Sequence, residues 1–244
     1  KLNKAQSHFW KTKPAEELYG LQKDPDEVTN LAQSQEHAAI LKKMKKTHFS
    51  HIRKIRDVGF LPEGEIHSRS IDSTPYEIAR DSNKYPFEKI ISAAELAPSL
   101  KKKDLPEIAQ LLMDNDSAVR YWGAIGLLTH KKAGTQAFTK ELLNALNDKS
   151  PYVQVTAAEA LGRFGTKEEQ ILAVNTLGKL VDPVKNGCFP SMLAMNAIDH
   201  LDNKAKSLLS LIKSMPRTPE GVDKRFQGYV GRLVDTTVTQ LEGK

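Results

Sequence analysis

The side chains that could carry chemistry are few and scattered. Cys188 is the single cysteine of the 244 residues, followed by Phe189, Pro190, Ser191 and Met192. One thiol makes no disulfide within the chain, and a thiolate zinc site needs two to four of them. Cys188 reads instead as a turn residue ahead of a helix. His48 and His51 stand three apart, which places two imidazoles on one helical face within reach of a metal ion. No H-E-x-x-H arrangement or carboxylate partner accompanies them, so they read as a packed or solvated pair. Arg120-Tyr121-Trp122 puts a cation and two aromatics at a helix start, read as core packing with a surface arginine. No glycine-rich loop follows a strand pattern, so no nucleotide site is suggested. The expected catalytic, cofactor and metal sets of this segment are therefore empty.

Behind these residues lies a chain of ordinary apolar content, long enough to bury a core. The net charge of +6 permits an anionic partner without demanding one. No stretch approaches the ~20 apolar residues of a membrane span, so no membrane partner is expected. A secretory-signal pattern is also lacking. The sequence opens on Lys1 rather than methionine, which reads as a processed or excised piece, so the missing signal leaves localisation unknown.

Texture divides the chain in three. Residues 1–57 hold a short mixed segment and then an amphipathic helix, with Leu41, Met44, Ile52 and Ile55 on one stripe. Residues 58–100 are punctuated by Gly59, Pro62, Gly64, Pro75, Pro86 and Pro98 and read as an irregular linker with a degenerate helical repeat. Residues 101–244 are helical and repetitive. Val119, Ala124 and Leu127 recur as Val153, Ala158 and Leu161 at an offset of 34. A third copy runs over Phe189–Ile198, where Ala197 and Ile198 follow Ala160 and Leu161 by 37. Such periods signal stacked helical pairs.

Each unit has the same physical plan. A leucine-rich first helix (Leu111-Leu112; Leu142-Leu143-Leu146) leads to a polar turn, Asp114–Ser117 or Asn147–Pro151, of residues that favour turns and N-caps. Pro151 suits a first helical turn, where its missing N–H costs nothing. The second helix is rich in Gly and Ala, which lets neighbours approach closely. The pattern resembles HEAT-like repeats over Leu105–Leu201, with degenerate copies at Pro86–Ala97 and Leu208–Val234. The fold expected is mainly α, a HEAT-like α-solenoid of about four helical pairs.

The opening stretch reads first on its own terms. Glu16–Leu21 alternates weakly and is expected as a short edge strand. Asp24-Pro25 makes a turn, and Asp26 and Glu27 suit a helix start, where the dipole favours negative charge. The phrase Glu16-Glu17-Leu18-Tyr19-x-Leu21-x-x-Asp24-Pro25-x-Glu27-x-x-Asn30-Leu31-Ala32 resembles a C-terminal signature of the sulfatase family. Gly20 departs from the aspartate usual after the tyrosine. Asp57–Ile66 and Thr74–Ile78 resemble a linker seen in bacterial sulfatases that carry helical repeats. The resemblance implies that residues 1–57 are a small α+β remnant of a sulfatase C-terminal subdomain, partnered by a missing catalytic domain, with packing roles for Leu18, Tyr19 and Leu31. It also implies a parent, periplasmic or secreted, that hydrolyses sulfate esters or sulfamates of carbohydrates with calcium and a formylglycine formed within C-x-P-S-R. Cys188 does not supply that group: Met192 stands where arginine is required, and the cysteine lies downstream of the phrase.

Lys42, Lys43, Lys45, Lys46, Arg53, Lys54 and Arg56 occur with no acidic residue among them. The plain expectation is a solvated helix face. The sharper one is a contact for a sulfated polysaccharide, whose charges such cations neutralise in a salt-dependent way. The main expectation is thus a non-catalytic sulfatase tail. The alternative is a HEAT-like protein-interaction scaffold with no enzymatic parent. A nucleic-acid-binding module ranks below both, because the second helices carry few cations.

Overall fold

The computed structural model describes residues 1–243. The chain falls into two compact units, Lys1–Asp57 and the remainder from Val58 onward. No strand occurs among the described residues.

The first unit contains α1 (Lys4–His8) and α2 (Ala38–Ile55), joined by a long irregular stretch. A capping box, Asn3 with Gln6, starts α1. The expected edge strand at Glu16–Leu21 is absent, and the reason is visible. Asn30 occupies the place of a neighbouring strand: its side-chain oxygen accepts from the Leu18 N–H at 3.0 Å, and its amide donates to the Glu16 carbonyl at 2.9 Å. A single backbone bond, Leu31 N–H to Leu18 O at 2.7 Å, closes the loop. With one such bond there is no ladder. The α+β character expected of this region is accordingly not seen.

The helix start expected at Asp26 and Glu27 is also absent. The Asp24 carboxylate instead accepts from the N–H groups of Val28 and Thr29, and Glu27 adopts a left-handed φ of 51°. The helix begins only at Ala38 and ends on Arg56 in the left-handed conformation. Of the residues in α2 only Ile52 is buried.

The second unit opens with α3 (Glu63–Arg69), α4 (Pro75–Ile78) and α5 (Phe87–Leu96). The helical pairs follow: α6 (Leu105–Gln110), α7 (Ser117–Thr129), α8 (Lys131–Ala137), α9 (Thr139–Ala145), α10 (Pro151–Phe164), α11 (Lys167–Leu180), α12 (Pro183–Asn186), α13 (Cys188–Leu201), α14 (Leu209–Lys213) and α15 (Lys224–Leu241). The second helices stack in one row, α5 on α7, α7 on α10, α10 on α13 and α13 on α15. The first helices pack outside them: α6 on α7, α8 and α9 on α10, α11 on α10 and α13, and α14 on α15.

Burial follows the repeat. Val119, Ala124 and Leu127 of α7 and Val153, Ala158 and Leu161 of α10 are at most 1% exposed. Full burial of such chains contributes roughly 1.5–3 kcal/mol each for the larger ones. Small residues are required where helices nearly touch. A Cβ on Gly126 would lie 2.5 Å from Ile108 Cγ2 and 3.3 Å from the Ala97 backbone, so α7 could not seat against α5 and α6. Each pair turns as its residues dictate. Asp116 caps α7 by accepting from the Ala118 N–H, Pro151 occupies the first turn of α10, and Thr166 with Glu169 forms a capping box on α11. The first helix of the second pair is broken at Phe138, whose φ of −129° separates α8 from α9.

Candidate functional site

The starts of α7 and α10 carry a polar seam beside a cleft of about 810 Å³. Offset 34 again organises it. Asp114 and Asp148 are equivalent turn residues, and so are Asp116 and Ser150. Arg120 Nη1 donates to the Asp114 carbonyl at 2.9 Å, and its equivalent Gln154 donates to the Asp148 carbonyl. Arg120 also reaches forward into the next repeat, holding the Asp148 carboxylate with Nε and Nη2 at 2.6 and 2.8 Å. It is thus a half-buried brace between repeats rather than the surface arginine expected from the sequence. The hydrogen bond and charge of Asp148, opposed by burial, raise the Arg120 guanidinium above its ordinary pKa.

Helix α3 inserts into this seam. Glu65 is 5% exposed, and its carboxylate gathers three donors. Oε2 accepts from Arg69 and from Ser117 Oγ at 2.8 Å, and Oε1 accepts from Ser150 Oγ at 3.1 Å. Arg69 in turn makes a fork to Asp116, Nη1 to Oδ2 at 2.8 Å and Nη2 to Oδ1 at 3.0 Å, and donates to the Lys84 carbonyl. Burial alone would raise the Asp116 carboxyl, but Arg69 and the first-turn N–H groups of α7 outweigh it and hold it below the usual carboxylate range. Tyr152 fits beneath α3 because residue 64 is glycine: a Cβ there would sit 1.6 Å from the tyrosine hydroxyl. Burial, with Glu65 and Glu63 nearby, raises the Tyr152 phenol well above its ordinary value.

Chemically the seam holds rather than reacts. Each carboxylate is engaged by arginine, hydroxyl or amide donors, which leaves Glu65 and Asp116 poorly placed to take a proton from a substrate. Cys188, the first residue of α13, is buried with Sγ 3.3 Å from Met192 Sδ. Burial and Glu63 push its thiol up, so it is a weak nucleophile. His48 and His51 are both exposed on α2. Among the described residues no group of three or more His, Cys, Asp or Glu is placed to hold a metal ion, and no helix is long and apolar enough to cross a membrane.

The basic residues singled out in the sequence belong to the first unit. Lys42, Lys43, Lys45, Lys46, Arg53 and Lys54 are exposed along α2, and Arg56 is exposed at its C-cap. Helical spacing gathers Lys42, Lys46 and Arg53 on one side, with Lys43 and Lys54 beside them. Lys45 forms an ion pair with Glu16. Half of the apolar stripe is exposed: Met44 and Ile55 are 56% and 45% accessible, while Leu41 is half-buried and Ile52 is buried.

The seam itself was missed in sequence. Its local trace was the Glu65–Arg69 spacing and the aspartates repeating at 114 and 148. No curated protein and no solved structure matches the chain. Residues 105–185, from α6 into α12, match the family model of HEAT repeats, a match that lies wholly within the second unit.

Proposed function

We propose that the chain works as a HEAT-like protein-interaction scaffold. The observation that carries this is the family match over stacked pairs whose buried polar groups brace one repeat against the next. Such repeats are generally protein-binding modules, and the second helices are held at fixed spacing. The outer helix α11 also leaves Ile171 and Leu172 exposed at 61% and 47%, side chains suited to a partner's apolar surface. Affinity capture from the native extract followed by cross-link mapping tests the reading. Cross-links to a protein partner should fall on exposed repeat lysines such as Lys131, Lys140, Lys167 and Lys179 and weaken in Ile171→Asp/Leu172→Asp. A partner contacting only residues 1–57 would overturn it.

A second reading is favoured by one observation in the first unit. Its phrase from Glu16 to Ala32 closes tightly around Asn30, yet Phe9, Trp10, Leu21, Ile40, Met44 and Ile55 stay exposed. In that reading the unit docks on a sulfatase-type catalytic domain, and the basic side of α2 contacts a sulfated polysaccharide. The coding frame around these residues should then contain C-x-P-S-R and Asp and Asn calcium ligands; a frame without them removes the docking claim. Retention on a sulfated-glycan resin should exceed that of a charge-matched control and fall with salt, and equal retention would remove the glycan contact.

A further inference from the structure

A stack of helical pairs is held by contacts between neighbours, so pairs at opposite ends are ordinarily coupled only through those between. Residues 58–85 break that rule. They belong to none of the pairs α6–α15, yet they reach four successive second helices. At α7, the Phe60 carbonyl accepts from Trp122 Nε1 at 2.9 Å, and Arg69 grips the capping Asp116. At α10, Glu65 accepts from Ser150, and Gly64 lies against the Tyr152 hydroxyl. At α13, the His67 ring stacks on Phe189 with centroids 4.8 Å apart and planes 16° from parallel. At α15, Phe226 meets both rings edge-on, 6.3 Å from His67 and 5.1 Å from Phe189.

The Glu65 carboxylate is the centre of this arrangement. One oxygen takes the hydroxyl at the start of α7 and the other the hydroxyl at the cap of α10, from residues 52 and 85 positions away. Hydrogen bonds tolerate only a few tenths of an ångström in length. A slide of α10 along α7 by about 1 Å therefore breaks one of the two and leaves a buried donor or a buried charge undersatisfied. The segment is itself anchored, with Leu61, Ile78, Ala79 and Tyr85 no more than 5% exposed, so it cannot simply follow either helix.

We propose that residues 58–85 form a strap that couples the four helical pairs into one cooperative body and fixes the spacing of their second helices. The face offered to a partner is then set before binding. Without the strap the pairs from α10 onward are coupled to α6 and α7 only through the α7–α10 stack and the Arg120 brace, and open more readily than α6 and α7 do.

Hydrogen exchange by mass spectrometry on the full chain, with parallel urea unfolding, tests this. In the unaltered protein the slowest amides of α7, α10, α13 and α15 should share one opening free energy, and unfolding should be a single transition. In Glu65→Ala the slowest amides of α13 and α15 should exchange roughly tenfold or more faster than those of α7, and the transition should broaden. Ser150→Ala, which removes one donor and no charge, should show the same pattern more weakly and serves if Glu65→Ala does not fold. Val234→Ala, a cavity in α15 remote from the strap, should lower the midpoint without broadening the transition. The strap is refuted if α15 already opens independently of α7 in the unaltered protein. It is equally refuted if the folded strap variants speed exchange in all four helices alike.

Discussion

The two units solve the problem of staying folded in opposite ways. Residues 1–57 bury Leu18, Ala32 and Ile52 alone among the described residues and expose Leu2, Phe9, Trp10, Leu21, Ile40, Met44 and Ile55. Their order comes from side chains answering the backbone, with Asn30 and Asp24 as the two hubs. The second unit buries one apolar position after another along α7, α10 and α13, gathers its buried charge at the seam, and elsewhere buries only isolated hydroxyls such as Thr135, Thr156, Ser191 and Thr237. Local hydrogen bonds can shape a loop, but each is worth only about 1 kcal/mol net, too little to offset the chain entropy of many ordered residues. Stacked apolar helices can offset it. The lesson is that the first unit has a shape without a core, while the repeats have both.

The sharpest way to break this contrast is to separate the units. Residues 58–244 should keep a cooperative melting transition by circular dichroism, and residues 1–57 alone should show none; a cooperative melt of the short piece would sink the contrast. Next is Leu161→Ala in α10, fully buried, which should cost about 2–5 kcal/mol in urea unfolding. Close behind is Arg120→Ala, which leaves Asp148 half-buried beside an empty place and should cost about 3 kcal/mol, with Asp148→Asn/Arg120→Met recovering much of it.

Acid should act on the second unit through Asp116. Its folded pKa is depressed, so its stabilisation is fully present above the unfolded value of about 3.9 and is lost as pH falls through the lower folded value. Unfolding free energy should therefore fall on acidification below about pH 4, and Asp116→Asn should flatten that part of the slope. Met44→Ala on α2 should be the smallest change, within about 0.5 kcal/mol, because that side chain is more exposed than buried.

These regions also differ in how much of them could be read in advance. The offset of 34 located α7 and α10, their polar turns and the role of Pro151, because a repeat writes each helix twice. The stripe Leu41, Met44, Ile52, Ile55 marks a helix, but periodicity cannot tell whether a face is covered, and here Met44 and Ile55 are exposed while Ile52 is buried. The edge strand at Glu16–Leu21 failed because the side chain of Asn30, twelve residues beyond Leu18, takes the bonds a neighbouring strand would have made. Glu65 was invisible for a stronger reason. A glutamate in a short helix looks like any solvated carboxylate until the chain brings in hydroxyls from 52 and 85 residues away. Arg120 was misjudged for the same cause, since its carboxylate belongs to the next repeat.

The carboxylate shared between Ser117 and Ser150 also acts as a ruler. Duplicating or deleting a pair is the ordinary way that repeat arrays change length, but an insertion between α7 and α10 would carry one hydroxyl beyond its reach. The array cannot lengthen at that junction while this carboxylate keeps both of its hydroxyl partners.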